Sequence, residues 1–266
     1  MAMRPLAIVS AMHEELHALL PLLDAPSQRT LAARRFHIGT LAGQPVVLVL
    51  SGIGKVAAAT TAALLIHEFD AQAIVFTGVA GGLGPGVKVG DVVVATQALQ
   101  HDMDASPIFP RFEVPLTGRS RFDVDEVLSG HLATSAEDCL HRADELMVRA
   151  HLEPFGIAAP RVHRGLVVSG DRFVSTAAES RALVQALPDA LAVEMEGAAL
   201  AQVCADFGCP FAVMRTISDR ADDDAHADFS RFIAEVASVY TRVVVLHWLQ
   251  QLPAYTGAMG IQSSDR

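Results

Sequence analysis

Acidic residues stand at the ends of three short apolar runs, where proton-transfer chemistry would be sited. Glu15 follows the run Leu6–Ser10; Glu194 and Glu196 flank Met195 after Leu191–Val193; Asp219 follows Ser218 at the end of Phe211–Ser218, which is apolar apart from Arg215. An acid at the end of a buried strand is costly unless it is paired or used. One such acid reads as a helix cap. Three around one sheet edge point to paired carboxylates, one donating a proton and another accepting it, as in the cleavage of glycosidic bonds.

Three further motifs carry other chemistries. His13-Glu14-Glu15-Leu16-His17 has the H-E-x-x-H spacing of zinc peptidases. A catalytic zinc needs a third protein ligand. Leu20 stands where the extended pattern demands Gly, and the remaining candidate, His37, falls in an expected strand. The histidines are read as two solvated helix residues, with no metal bound. Gly52-Ile53-Gly54-Lys55 resembles part of a phosphate loop, but Val49 and Val56 stand where Gly and Ser or Thr are required. The segment is either a tight strand–helix turn or a set of backbone N–H groups offered to a polar ligand. Gly78-Val79-Ala80-Gly81-Gly82 is no dinucleotide fingerprint; it reads as a turn or a place of close backbone approach.

The elements that would position these residues alternate along the chain. Strands are expected at Leu6–Ser10, Arg35–Gly39, Pro45–Leu50, Ala73–Thr77, Val92–Ala95, Gly165–Ser169, Leu191–Glu194 and Phe211–Ser218. Helices are expected at His13–Leu23, Lys55–Glu68, Ser135–Arg149, Ala177–Ala186, Glu196–Phe207 and Phe229–Leu249. Gln97 to about Asp125, with Pro107, Pro110 and Pro115, reads as an ordered loop, and the tail 253–266 is expected to fray. Such alternation predicts an α/β fold: one domain over 1–252, with a central, mixed, twisted sheet flanked by helices and the ligand site beyond the carboxyl ends of its strands.

Composition narrows the function. Hydrophobic residues make up 51% of 266, enough for a sizeable core, and the formal net charge of −10 disfavours nucleic acid or a membrane surface as partner. Cys139, Cys204 and Cys209 form neither a zinc pattern nor an even disulfide framework and read as reduced core thiols of a cytoplasmic protein. The first fifteen residues lack a signal-peptide core, and no run of about 18 uncharged apolar residues calls for a membrane span.

Taken together, Ala11-Met12-His13-Glu14-Glu15, Ser51-Gly52-Ile53-Gly54-Lys55-Val56, Thr77 to Gly82, Gly90-Asp91, His101-Asp102, Ser169-Gly170-Asp171-Arg172-Phe173, Val193-Glu194-Met195-Glu196 and Ile217-Ser218-Asp219 resemble, in family order, the 5′-methylthioadenosine/S-adenosylhomocysteine nucleosidases of the purine nucleoside phosphorylase-like superfamily. The resemblance runs from residue 6 to about 250. It implies a homodimeric hydrolase of adenine thionucleosides that needs no cofactor. It assigns Asp219 to protonate or hydrogen-bond adenine N7, Glu15 to activate water, and Arg215 to help hold that water. Phe173 would stack on the base and the Val174 backbone would hold its polar edge. Met195 and Glu196 would grip the ribose, and Met12, Ile53 and Phe229 would line the 5′-alkylthio pocket. Ser218 and Val79 complete the expected substrate contacts.

Two departures stand out. Val79 replaces a family Ser that helps position the water; either Thr77 or a backbone group takes over that role, or turnover is slower. The segment 104–118, with Phe109, Pro110, Arg111 and Phe112, differs from the family loop that reaches the partner's pocket. Rival readings are a phosphorolytic relative and a non-catalytic nucleoside binder on the same fold. The acidic first loop argues against the former, and the retention of Glu15, Glu196 and Asp219 against the latter.

Overall fold

The computed structural model describes residues 4–143, 145–146, 148–221 and 229–252; the expected fraying tail lies outside them. Ten strands form one mixed sheet: β1 Leu6–Ser10, β2 Asp24–Leu31, β3 Arg34–Leu41, β4 Gln44–Leu50, β5 Ala73–Gly82, β6 Val92–Gln100, β7 Arg121–Asp123, β8 Val162–Ser169, β9 Ala190–Glu194 and β10 Phe211–Asp219. The helices are α1 His13–His17, α2 Lys55–Phe69, α3 Glu126–His141, α4 Arg149–Leu152, α5 Ala177–Ala186, α6 Gly197–Phe207 and α7 Phe229–Gln251, with a π-helical turn at Ile233–Ala237 inside the last.

Half of the sheet is closed on itself. The pairings β5–β10, β10–β6, β6–β8, β8–β9 and β9–β5 make a ring, and β1, β4, β3 and β2 extend from β5 as an open wing. β1, β5 and β10 run parallel, so Ser10, the end of β5 and Asp219 emerge on one edge. β8 and β9 are parallel too, with Ser169 opposite Glu194. Helices α2 and α6 pack together on one face, and α3 and α1 pack on α7 on the other. These parallel strands read as nearly continuous apolar runs because both faces are covered.

α7 is the one helix among the described residues long and apolar enough to cross a membrane. It is instead a core element: Tyr240, Val244, Val245, Trp248 and Leu249 are buried among residues of β1, β4 and α3.

The structure moves several expected boundaries. The first helix stops at His17, and a short 3₁₀ turn, Leu20–Leu22, follows with Pro21 in it; proline removes the N–H that a continuing helix needs. β2 was not expected at all. It is an edge strand, polar and exposed along nearly its whole length, so no alternation marks it. Its turn to β3 uses Ala32 and Ala33 at positive φ, 45° and 61°, in place of Asn-Gly.

α3 begins at Glu126, well before Ser135, because the Asp125 side chain accepts from Leu128 N at 2.8 Å and caps it; it ends before Arg149. The expected loop from Gln97 shrinks at both ends, since β6 runs on to Gln100 and β7 pairs with it.

Gly78–Gly82 is not a turn. β5 continues through it, pairing with β10 on one side and meeting β9 at Gly81 and Gly82 on the other. The glycines serve close approach: a methyl on Gly81 would lie 2.9 Å from Asp219 Oδ1, and one on Gly82 3.1 Å from Ile217 Cγ2. Asp91 of the Gly90-Asp91 pair accepts from Lys88 N, Arg161 N and His163 Nε2 at 2.8–2.9 Å, tying the starts of β6 and β8 together.

Candidate active site

At the carboxyl edge of β1, β5, β9 and β10 lies a cavity of about 170 Å³. Glu15, Arg215 and Asp219 line it, as do Met12, Ile53, Val79, Phe173, Met195, Glu196, Ser218 and Phe229. Val174 does not: its side chain is buried in a separate apolar cluster with Leu83, Leu99 and Val168. Ala11, Gly78, Ala80, Gly81 and Val193 also line the cavity. The small residues among them carry no chemical signal in sequence, and only the glycine run hinted at them.

Glu15 enters from the first turn of α1 and is fully buried. Its Oε2 accepts from Met12 N at 3.4 Å, a long bond, and Oε1 has no hydrogen-bond partner among the described residues. Burial pushes its pKa up to about 7, against the opposing pull of the Arg215 guanidinium. Gly78 lets the two side chains flank β5: a methyl there would sit 3.1 Å from Arg215 Nη1 and 3.2 Å from Glu15 Oε1.

Arg215 is buried with its guanidinium 3.9 Å from the Phe76 ring centroid. Its Nη2 donates to Glu194 Oε2 at 2.7 Å. Glu194 is met by donors on both oxygens. It also accepts from Ser169 Oγ, from Glu196 N at 3.1 Å and from Gly197 N at 2.9 Å, where it caps α6. Ser169 Oγ in turn accepts from Ala198 N at 2.7 Å. In sequence Glu194 stands among the candidate acids with no sign of this role, because two of its donors, Ser169 and Arg215, lie far along the chain.

Glu196 Oε1 accepts from Gly54 N at 2.7 Å, and Asp171 Oδ1 accepts from Lys55 N at 2.7 Å. The polar ligands of the glycine-rich turn before α2 are thus the protein's own carboxylates, which suit a helix N-terminus. Burial, then the nearby Glu194 charge, raises the Glu196 pKa to about 7, against the Gly54 N–H. Asp171 N donates to Asp102 Oδ2 at 2.9 Å and Lys55 Nζ reaches Asp102 Oδ1 at 2.6 Å, which fixes the segment leading to Phe173.

Asp219 closes the cavity from the end of β10. Its Oδ2 accepts from Ser218 Oγ at 2.8 Å and its Oδ1 from Ala221 N at 2.7 Å. Phe173 and Phe229 meet edge to face at 5.9 Å, with Phe173 38% exposed. Val79 presents only an apolar side chain. Thr77 cannot take over from the missing hydroxyl: it is buried, pairs with Ser10 Oγ at 3.0 Å and does not line the cavity.

The zinc-like motif resolves differently. His13 and His17 are exposed and stack on each other at 5.3 Å, while His37 Nδ1 meets Gln28 Nε2 at 3.2 Å. Among the described residues no group of three or more His, Cys, Asp or Glu is placed to hold a metal.

The sequence profile of the phosphorylase superfamily matches residues 5–246. A 5′-methylthioadenosine/S-adenosylhomocysteine nucleosidase of Shewanella sp. (strain W3-18-1) is 32% identical over 93% of this chain and 99% of its own. The chain belongs to this nucleosidase family, within the phosphorylase superfamily. Solved members of the family share its fold. The Neisseria meningitidis nucleosidase, in complex with methylthio-immucillin-A, superposes with a TM-score of 0.79 at 34% identity, covering 94% of this chain and all of the other. The Streptococcus pneumoniae nucleosidase with 8-aminoadenine gives 0.80 at 32% identity, covering 93% and 100%. A futalosine hydrolase of Helicobacter pylori gives 0.78 at 31%, covering 94% and 98%, so relatives of equal similarity carry different substrate names.

Proposed function

We propose that the protein hydrolyses the N-glycosidic bond of adenine thionucleosides, 5′-methylthioadenosine and S-adenosylhomocysteine among them, releasing adenine and a 5-thioribose product. The observation that carries this reading is the meeting on one cavity of Glu15, buried with a pKa of about 7, and Asp219, held by Ser218 Oγ and Ala221 N. As the bond between C1′ and adenine N9 breaks, Asp219 gives a proton to N7, so adenine leaves neutral. The sugar becomes oxocarbenium-like; water adds at C1′ and its proton goes to Glu15, which must be ionised to take it. Arg215 helps to hold the water in place. Glu196, with Oε1 committed to Gly54 N, offers its other oxygen to the 2′- and 3′-hydroxyls, beside Met195 and Val79. Phe173 stacks on the base, and Met12, Ile53 and Phe229 receive the 5′ substituent.

Water is favoured over phosphate as the nucleophile. The guanidinium lining the cavity is already paired with Glu194, and a phosphate dianion would face Glu15 and Glu196. Adenine release should therefore be unchanged in phosphate-free buffer and after treatment with chelator. A sugar 1-phosphate among the products, or activity lost in chelator and restored by zinc, would overturn the reading. The same reading makes the enzyme a cytoplasmic homodimer with the Phe109–Phe112 segment at the partner's cavity; an active monomer in sedimentation at assay concentration would rule this out.

A further inference from the structure

A second concavity, of about 520 Å³, lies beside the first. The two share a wall residue by residue. Met12, Glu15 and Ile53 face the catalytic cavity, and their neighbours His13, Leu16 and Gly52 face the second one. The tip of the β2–β3 hairpin overhangs it and contributes Arg34 and Arg35. No Asp or Glu is among its lining residues.

Arg34 is held rigidly but by neutral groups only: Thr61 Oγ1 at 2.6 Å, Ala32 O at 2.8 Å and Ala57 O at 3.2 Å. These bonds use three of the five guanidinium hydrogens. Arg35 is exposed, and neither arginine forms an ion pair among the described residues. The anchor on Ala57 O also fixes where the charge sits. Ala57 lies in the first turn of α2, three residues beyond Gly54, whose N–H holds Glu196; that is about 4.5 Å along the helix axis. Ile53, just before this turn, is 61% exposed and lines the catalytic cavity, while its neighbour Gly52 lines the second concavity.

We infer that the Arg34–Arg35 concavity is a subsite for a carboxylate at the end of the nucleoside's 5′ arm, so that the enzyme prefers adenine nucleosides with an anionic arm over those with a neutral one. The inference rests on the nucleosidase reading above and adds the substrate class to it. Two guanidiniums without a counter-charge attract a carboxylate and repel an ammonium. An arm carrying a carboxylate alone is therefore bound better than an amino-acid arm of the same length.

The test is kcat/KM for three nucleosides differing only in the arm: 5′-methylthioadenosine, S-adenosylhomocysteine and 5′-(3-carboxypropylthio)-5′-deoxyadenosine. The carboxypropyl compound should be the best of the three, by about fivefold at low salt, with the advantage shrinking as salt is added. Arg35→Glu, at an exposed position, should abolish that advantage and leave methylthioadenosine within about twofold of wild type. Arg34→Gln should do the same, with a thermal melt to confirm that it folds. Equal losses on all three substrates, or no change in either variant, would overturn the inference. So would Arg35-dependent inhibition by added acetate of all three nucleosides alike, which would mark an independent anion site. If the wild type releases adenine from none of the three, the nucleosidase reading itself fails; if it cleaves methylthioadenosine without any preference among arms, only the subsite does.

Discussion

The ends of β9 and β1 each bury a glutamate within reach of Arg215, and the two sites are opposite in character. Glu194, at the end of β9, accepts from Ser169 Oγ, Glu196 N, Gly197 N and Arg215 Nη2. Glu15, past the end of β1, accepts one long bond from Met12 N. Burial alone penalises both carboxylates. Glu194 is met by donors on both oxygens and organises its neighbours. At Glu15 the penalty stands and raises the pKa to about 7, which makes it a group poised to exchange a proton. The difference between a structural and a chemical carboxylate is here a difference in donors supplied.

The largest effect should come from breaking the satisfied end. Glu194→Ala leaves the Arg215 charge buried and unpaired, and should cost about 3–5 kcal/mol in urea unfolding, taking activity with it. A loss below about 1 kcal/mol would mean that Arg215 finds another partner and that Glu194 is no hub.

Glu15→Gln should act in the reverse sense. It should cut kcat by about 10²-fold or more while adenine still binds, and remove the acidic limb of the pH profile near pH 7. The variant should also be the more stable protein in alkali. The folded-state pKa is raised from 4.5 to about 7, so the neutral acid is favoured below 4.5 and wild-type stability is lost as pH rises through about 7. By pH 8 the advantage of Gln should approach about 3 kcal/mol, and it should vanish near pH 4.5. Melts of the two proteins that run parallel across this range would sink the assignment of Glu15 as a destabilised acid.

Asp219→Asn should also lower kcat by about 10²-fold or more, but with the basic limb of the profile lost and the poorest leaving groups suffering most. Near wild-type turnover in both Glu15→Gln and Asp219→Asn would make these residues structural. Ser169→Ala is the gentlest probe of the contrast. It removes one donor of several from Glu194 and should cost about 1 kcal/mol with kcat little changed; a catalytic loss as large as that of Glu15→Gln would erase the distinction between the two sites.

Much of this was legible in the chain. The acids at strand ends, the long helices α2 and α6 and the buried strands β1 and β9 follow from local pattern, because apolar runs and periodicity depend on neighbours in sequence. β2 escaped because an exposed, polar edge strand carries no alternation. α3 escaped at its start because the capping Asp125 lies in a stretch read through its prolines. The run Gly78–Gly82 was legible as a place of close approach and misread as a turn, since the approaching atoms belong to Asp219, Ile217 and Arg215.

What sequence by itself determined is therefore which residue types reach the carboxyl edge of the sheet and in what order. Only the tertiary structure decided which of those acids is satisfied, that β5 and β9 close the ring, that Thr77 is spent on Ser10, and that Arg34 and Arg35 stand behind Ile53. The physical reason is that protonation and hydrogen-bond saturation depend on donors brought from far along the chain. Glu194 is held by residues at 169, 197 and 215, and no local window of sequence contains them all.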